Sequence, residues 1–157
     1  MATGTYTSSL RNLELSSRVG NMADNRYARG NVYCMTDVCY AANGGDAGST
    51  LVFGSLPKGA VPLYAIVYPV NGNGVPTAME NAVTGSLGVS GDADLFGAVG
   101  SLKSATPQVV VPKPDGTVYT GVNSIALNKE SSVVLTTAAA ALTAGEGVAV
   151  KIFFTYV

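Results

Sequence analysis

The stretch "GVAVKIFFTYV", residues 147–157, alternates between two sets of side chains with a period of two residues. One set is apolar and comprises Val148, Val150, Ile152, Phe154 and Tyr156; the other is the mixed set Ala149, Lys151, Phe153 and Thr155. This is the period of a β-strand, in which successive side chains point to opposite faces of the sheet. The stretch therefore predicts a strand with one face in a hydrophobic core.

The stretch "VPLYAIVYPV" (Val61–Val70) predicts a second long strand. Its two faces carry Leu63, Ala65 and Val67 on one side and Tyr64, Ile66 and Tyr68 on the other. Because both faces are largely apolar, we expect a strand inside a sandwich that is covered on both sides. Pro62 and Pro69 fall near its ends, where a strand tolerates the missing backbone donor.

Six further short runs have strand character, and turns rich in glycine and proline separate them. The runs are Asn31–Thr36, Thr50–Gly54, Ala82–Ser90, Gln108–Val111, Thr117–Thr120 and Ser131–Thr137. The turn motifs include "PKG", "NGNG" and "PDG", and the last would close a hairpin in "PKPDGTVYTG". One short helix is predicted in "DADLFGAVGSL", where Asp92 or Asp94 would cap the first turn. Together these features predict an all-β fold, an antiparallel β-sandwich that is jelly-roll-like, over residues 31–157.

Residues 1–30 do not fit this pattern, and we interpret them as an extended N-terminal arm. Their apolar residues, including Leu10, Leu13 and Leu15, show no sustained strand or helix period. The segment also holds all the arginines of the chain, which are Arg11, Arg18, Arg26 and Arg29. Two interpretations are open. Either the arm becomes ordered on another protein surface, where guanidinium groups pair with carboxylates and carbonyls, or it is a solvated terminus.

The chain is poor in charge, since charged residues make up 12% of its 157 positions and the formal net charge is -1. This argues against binding nucleic acid through its phosphates. A low charge suits a protein that packs against neighbours, because an ion loses its hydration when an interface covers it. We find no apolar run long enough to span a membrane and no secretory leader, so we expect a protein that folds in the cytoplasm of the cell that makes it.

Neither a metal site nor a cofactor is predicted. The chain has no histidine and only two cysteines, Cys34 and Cys39, which are too few ligands for a structural zinc ion. The spacing of the cysteines is compatible with a disulfide and with two reduced thiols, and it does not decide between them. Asp92 and Asp94 begin a pattern like that of a calcium loop, but Lys103 stands where the bidentate glutamate would be. A helix cap and a weak calcium site both stay open for these aspartates.

No catalytic group is predicted either. Without histidine there is no Ser–His or Cys–His pair, and the spacing of the acidic residues brings no two of them together. The segment "GAVGSLKS" is close to a phosphate-binding loop, but Leu102 replaces its second glycine. Gly85, Gly88 and Gly91 predict bulges or close backbone contacts rather than a ligand loop. We therefore expect a protein that is not an enzyme.

Three segments taken together resemble small structural proteins of tailed bacteriophages, of the capsid decoration or head auxiliary type. They are "LVFGSLPKGAVPLYAIVYPV", "TGSLGVSGDADLFGAVGSL" and "LTAGEGVAVKIFFTYV". In this pattern a strand begins after a Leu-Pro-x-Gly-Ala turn, which Leu56, Pro57, Gly59 and Ala60 would form here. The resemblance implies a β-sandwich virion protein, made in the host cytoplasm, that decorates the capsid as a cement protein and stabilises the shell.

The resemblance implies partners rather than ligands: the major capsid protein and neighbouring copies of the chain, with a trimer favoured. Combined with the arm, it gives the hypothesis that the partner-binding residues are Arg11, Arg18, Arg26, Arg29, Leu10, Leu13, Leu15 and Tyr27. The alternative is a glycan- or receptor-binding module of a head fibre or tail, which would use the loops "NGGDAGS" and "NGNGVPTAMEN". The resemblance does not separate a head location from a tail location.

Overall fold

The computed structural model describes residues 3–7, 32–112 and 126–156. These residues form nine strands and no helix: β1 (Thr5–Thr7), β2 (Tyr33–Tyr40), β3 (Thr50–Leu56), β4 (Ala60–Val70), β5 (Thr84–Val89), β6 (Asp92–Val99), β7 (Gln108–Val110), β8 (Ser131–Ala138) and β9 (Gly147–Tyr156). Within these ranges no helix is long and apolar enough to cross a membrane. The predicted strand at 117–120 and the hairpin around it lie outside the described residues.

The strands form two sheets, a five-stranded sheet in the order β1-β3-β8-β5-β6 and a four-stranded sheet in the order β2-β9-β4-β7. Strands from the two halves of the chain pair antiparallel in nested order: β2 with β9, β3 with β8, β4 with β7, and β5 with β6. This is the pattern of one long hairpin folded over itself into two sheets, which is the jelly-roll arrangement. The prediction of an all-β antiparallel sandwich is confirmed.

The core lies between the inner faces of the two sheets. The five-stranded sheet contributes Leu51, Phe53, Leu87 and Leu135, and the four-stranded sheet contributes Val67, Val148, Val150 and Ile152, all of them buried. Burial of each of these side chains stabilises the fold by about 1.5–3 kcal/mol relative to exposure. The alternation predicted for the closing strand is thereby confirmed, with its apolar face in the core.

The segment predicted to be a short helix is strand β6, so that prediction was wrong. Val89 pairs with Asp92 across a two-residue turn, in which Gly91 has a φ of 104°. A side chain at Gly88 would overlap the backbone of Asp92 and Ala93, and its absence allows β5 and β6 to pair closely. Pairing with β5 therefore outweighs the local capping that the aspartates offer. The prediction of bulges or close backbone contacts is confirmed at Gly85 and Gly88, whereas Gly91 lies in the open turn.

Strand β4 differs from its prediction at Leu63. The pairing with β9 shifts between Pro62 and Tyr64, so that Leu63 lies in a bulge and is 38% exposed. Beyond the bulge Ala65 and Val67 face the core, whereas the alternate residues face outward and are half-buried. Within the described ranges the outer face of this strand is thus partly covered, and the expectation that both faces are covered stays a prediction.

Strand β1 lies in the segment that the sequence pattern assigned to the arm. Thr5 pairs with Thr50 in parallel register, the carbonyl of Gly4 accepts a hydrogen bond from Thr50 N at 2.9 Å, and Gly4 N donates to Ser49 Oγ at 3.2 Å. A strand of three residues has no readable period, which is why the pattern missed it. Residues 8–31, and with them most of the predicted arm, lie outside the described residues.

One buried carboxylate joins the two sheets. Asp37 of β2 is 5% exposed, and its Oδ2 accepts a hydrogen bond of 2.8 Å from the backbone N–H of Gly54 in β3. Its Oδ1 accepts a second one, also of 2.8 Å, from Val38 N. Gly54 lies at the bulge where the pairing of β3 with β8 shifts. The side chain thus ties an edge strand of the four-stranded sheet to the irregular point of the other sheet.

Candidate assembly surface

The residues predicted to bind partners all lie outside the described part of the chain. They are Arg11, Arg18, Arg26, Arg29, Leu10, Leu13, Leu15 and Tyr27. The hypothesis that they form a binding site therefore stays a prediction. The described residues bring together a different surface, which the sequence analysis did not single out.

This surface is the outer face of the four-stranded sheet, here called the β4–β9 face. It consists of Cys34, Thr36 and Val38 from β2, Ala149, Lys151 and Phe153 from β9, Tyr64, Ile66 and Tyr68 from β4, and Val109 from β7. Apart from Ala149, which is buried, these residues alternate with the buried residues of the same strands, so they point away from the core.

The strand register arranges the β4–β9 face in rows. Phe153 pairs with Tyr64, and their rings stack with centroids 4.5 Å apart and planes 16° from parallel. In the next row Lys151 pairs with Ile66, which in turn pairs with Val109. Val109 is 65% exposed. The face therefore presents an aromatic pair and a neighbouring aliphatic pair to the outside.

Charge is almost absent from the β4–β9 face, where Lys151 is the single charged side chain. The outer face of a sandwich sheet is usually polar, because it meets water. A contiguous apolar patch on the outside typically marks a contact with another protein, and aromatic residues with few charges characterise the centre of such contacts. The β4–β9 face has these properties.

The outer face of the five-stranded sheet is also poor in charge apart from the start of β6, but its side chains are small and many bear hydroxyl groups. One row across it runs Thr50, Thr136, Ser86 and Ala98. Charged residues of the described ranges are instead found mainly in the connections and at the start of β6. The two sheets thus offer two faces of low charge and different chemistry, one aromatic and aliphatic and one rich in hydroxyl groups.

The connections at one end of the sandwich form a hydrogen-bonded network. Glu146 accepts from Glu80 N at 2.6 Å and from Thr143 N at 2.8 Å, and Thr143 Oγ1 donates to Glu80 Oε2 at 3.0 Å. Gly45 and Leu142 form an isolated bridge between two of the same connections. The loops "NGGDAGS" and "NGNGVPTAMEN" therefore lie at the same end, as the alternative function requires.

The two cysteines are separate thiols. Cys34 is exposed and Cys39 is buried, and both are free. Because they lie five positions apart on β2, their side chains project to opposite faces. Burial raises the pKa of the Cys39 thiol to about 12, with a smaller contribution from the nearby charge of Asp37, while a backbone hydrogen bond from Val52 acts in the opposite direction. The question left open by their spacing is thus answered for this structure: the cysteines are not bonded to each other.

The segments that resemble ligand loops have structural roles. Leu102, at the position of the second glycine of a phosphate-binding loop, is fully buried, and its N–H donates to Val83 O at 2.8 Å. Asp92 and Asp94 belong to β6, and among the described residues no three cysteine, aspartate or glutamate side chains are grouped to hold a metal ion.

Comparison with known proteins gives matches only at the level of structure. No family model and no curated protein matches the chain. A chain of the capsid of Ralstonia phage GP4 has the same fold, with a TM-score of 0.61 and 19% identity over 83% of this chain and 88% of that one. A chain of the cyanophage Pam1 capsid asymmetric unit has a TM-score of 0.58 and 17% identity, over 79% of this chain and 84% of that one. This is a fold found in phage capsids.

Proposed function

We propose that the chain is a structural protein of a tailed-phage virion, without enzymatic activity, that decorates the outside of the capsid. In this role it binds the major capsid protein and neighbouring copies of itself, as a trimer, and stabilises the shell. It is made in the host cytoplasm and functions in the virion. The proposal makes attachment, rather than recognition of a small ligand, the task of its surface.

The observation that carries this proposal is the jelly-roll likeness to a phage capsid chain over 83% of this chain. The low charge of the two outer faces supports it, because an assembled shell covers surfaces that an isolated protein would keep charged. That this chain decorates the capsid, rather than forming the shell itself, is what its sequence resemblance to decoration proteins implies.

Co-sedimentation tests the proposal. Capsids of the phage that encodes the chain are prepared without it, mixed with the purified protein, and separated from unbound protein on a gradient. We expect binding that saturates at a fixed copy number and raises the temperature at which the capsid dissociates, because a ligand of the assembled state stabilises that state. Absence of binding to capsids, together with recovery of the protein in isolated tails, would refute decoration of the head.

The arm forms the second part of the proposal. We expect the four arginines to pair with carboxylates and backbone carbonyls of the capsid, where the planar guanidinium fork loses less entropy than a lysine side chain. Replacing Arg11, Arg18, Arg26 and Arg29 by glutamine should therefore abolish most binding. Substitution is preferable to deleting the first 28 residues, because a deletion would also remove β1 from its sheet.

A matched control is provided by the lysines. Replacing Lys58, Lys103, Lys113 and Lys129 by glutamine changes the formal charge by the same amount as the arginine variant. If both variants lose the same affinity, net charge and not the arm is responsible. If the arginine variant binds like the unmodified protein, the arm hypothesis is wrong.

A second candidate function is a glycan- or receptor-binding module of a head fibre or tail. The observation in its favour is that the loops 41–49, 71–83 and 139–146 lie together at one end and are joined by hydrogen bonds and a bridge. Binding of the isolated protein to a glycan array, without affinity for capsids, would support this function in place of decoration.

A further inference from the structure

The two ends of the sandwich carry different segments of the chain. One end, here called the arm end, is formed by the turn at residues 57–59, by residues 126–130 and by the start of β2. The N–H of Gly59 donates to the carbonyl of Leu127, and the N–H of Leu127 donates to the carbonyl of Ala60, both at 2.8 Å, so the first two segments lie side by side. The opposite end carries the hydrogen-bonded loops described above and is here called the network end.

The segment that holds the four arginines joins the fold at the arm end. β1 runs parallel to β3 and therefore toward this end before residues 8–31 begin. β2 begins at Tyr33, which pairs with Phe154 close to the end of β9, and the end of β9 in turn pairs with the start of β4. Arg29 precedes Tyr33 by four positions, so the two Cα atoms are at most about 14 Å apart whatever path the chain takes. Since the network end lies at the other end of β2, about 23 Å from Tyr33, Arg29 is tethered to the arm end.

Basic residues are concentrated at the arm end and in the connections that lead into it. β7 pairs antiparallel with β4 and so runs toward this end, and residues 113–125 connect it to the segment of Leu127. Of the nine basic residues, only Lys103 and Lys151 belong to other parts of the fold. The other seven are the four arginines together with Lys58, Lys113 and Lys129. A contact made through several basic groups therefore involves this end.

Acidic residues, by contrast, occur at both ends. The arm end and its connections contain Glu14, Asp24, Asp92, Asp94, Asp115 and Glu130, and the network end contains Asp46, Glu80 and Glu146. The formal charge is thus slightly positive at the arm end and slightly negative at the network end, so net charge distinguishes the two ends only weakly. The arginines distinguish them clearly. Arginine is the basic residue enriched in protein contacts, because its planar fork binds carboxylates and carbonyls with little loss of entropy.

Exposed apolar side chains adjoin the same connections. Val32, immediately before β2, is 58% exposed, and Val111, immediately after β7, is 59% exposed. The network end has one such side chain in the described ranges, Val75. Its carboxylates Glu80 and Glu146 accept hydrogen bonds from its own loops, which brace this end without a partner. The arm end therefore combines arginine with exposed apolar groups, the combination that is typical of the centre of protein contacts.

We propose that the chain attaches to the capsid by its arm end and that the network end faces away from the shell. The partner is a protein surface that presents carboxylates and backbone carbonyls to the basic groups of the arm end, and apolar groups to Val32 and Val111. The inference rests on the proposed binding to capsids and adds which part of the fold makes the contact. It implies that the loops 41–49 and 71–83 stay accessible on a decorated particle.

Two exposed turn positions at opposite ends test this orientation. Lys58 lies in the turn at the arm end, and Asn73 lies in the turn that Gly74 N closes at the network end. Each is replaced by cysteine in protein that also carries Cys34→Ser, because Cys34 is an exposed thiol whereas Cys39 is buried. Free and capsid-bound protein are treated with a maleimide, and mass spectrometry measures the rate of labelling on this chain.

We expect capsids to slow labelling of Lys58→Cys by about tenfold or more and to leave labelling of Asn73→Cys within about twofold, because a thiol reacts only where the reagent can reach it. A polyethylene glycol maleimide attached before mixing gives a complementary test. On Lys58→Cys the polymer should abolish co-sedimentation with capsids, and on Asn73→Cys it should leave co-sedimentation unchanged. Circular dichroism establishes that both variants are folded. Loss of capsid binding by folded Lys58→Cys, with Asn73→Cys still bound, would support the same orientation.

Three labelling patterns on bound protein would overturn the orientation. Protection of Asn73→Cys alone would reverse it. Protection of neither position would place the contact on a side of the sandwich, and equal protection of both would show that the network end is covered as well. If the unmodified protein does not bind capsids at all, the proposed function fails and the orientation fails with it. Once binding is measured, the labelling pattern alone decides, so the two failures are distinguishable.

Discussion

Replacing Asp37 by asparagine should lower the free energy of unfolding by about 2 kcal/mol, because the carboxylate accepts hydrogen bonds from two backbone N–H groups. Both bonds are 2.8 Å long, and the one from Gly54 is buried. Hydrogen bonds to a charged group contribute about 1.5–3 kcal/mol each. Asparagine retains one acceptor oxygen, so one bond persists while the amide NH₂ faces the other N–H.

Asp37→Ala should lower the free energy of unfolding by more, about 3–4 kcal/mol. Both N–H groups then lose their acceptor, and the Gly54 N–H lies in the interior. Urea unfolding followed by circular dichroism measures both variants. Glu130→Gln, the same change from carboxylate to amide at an exposed position before β8, is the control and should change stability by less than about 0.5 kcal/mol.

Amide hydrogen exchange distinguishes a local effect of the Asp37–Gly54 hydrogen bond from a general loss of stability. If Asp37 holds the β3 bulge, the amide of Gly54 should exchange its hydrogen faster in the asparagine variant by more than about 30-fold, which is the factor that a global loss of about 2 kcal/mol gives by itself. Exchange of Leu135 in the neighbouring strand should change only by the global amount. Unchanged protection of Gly54 together with unchanged stability would show that the carboxylate does not fasten the sheets.

Three further predictions concern backbone geometry and pH. Since burial raises the pKa of Cys39 from 9.0 to about 12, the unfolded thiol ionises first as the pH rises. The contribution of the neutral Cys39 thiol to the free energy of unfolding is therefore complete below pH 9. It falls by about 1.4 kcal/mol per pH unit up to pH 12. The loss should show as a difference between unmodified protein and Cys39→Ala in urea titrations, and a constant difference would contradict it. Gly88→Ala should lower the free energy of unfolding by about 3 kcal/mol, because the new methyl overlaps the Asp92 carbonyl. Its control is Gly72→Ala, where the nearest atom to the new methyl is 3.9 Å away. The control should leave the free energy of unfolding nearly unchanged in the same assay. Ala139 has a φ of 65°, a backbone conformation that is strained for alanine and accessible to glycine. Ala139→Gly should therefore increase the free energy of unfolding by about 1 kcal/mol and raise the melting temperature. A lower melting temperature of this variant would contradict the assignment of strain to Ala139.

The sequence predicts most of this fold because the alternation and the turn residues that mark a strand involve only residues that are neighbours in the chain. The alternation in residues 147–157 and the apolar runs at Thr50–Gly54 and Ser131–Thr137 recur as β9, β3 and β8. Proline and glycine turns mark where these strands end. A period of two and a turn are properties of neighbouring residues, so they can be seen without knowledge of the partners.

The features that the sequence did not predict all depend on a partner strand. β6 has two aspartates that suit a helix cap, and only its pairing with β5 shows it to be a strand. Leu63 belongs to an apolar face by its spacing, but a shift in the pairing with β9 turns it outward. The β4–β9 face was missed for the same reason: alternation gives two apolar faces for β4, and only the sheet order decides which one meets the core.

The nested pairing also has a consequence for the synthesis of the protein. β9 lies between β2 and β4 in the four-stranded sheet, so β2 has no neighbour in that sheet until residues 147–156 have left the ribosome. A product that stops before Gly147 lacks the central member of that sheet and exposes the edges of two strands. Contacts between residues so distant in the chain also make folding slow. Synthesis of residues 147–156 thus acts as a checkpoint for completing the four-stranded sheet.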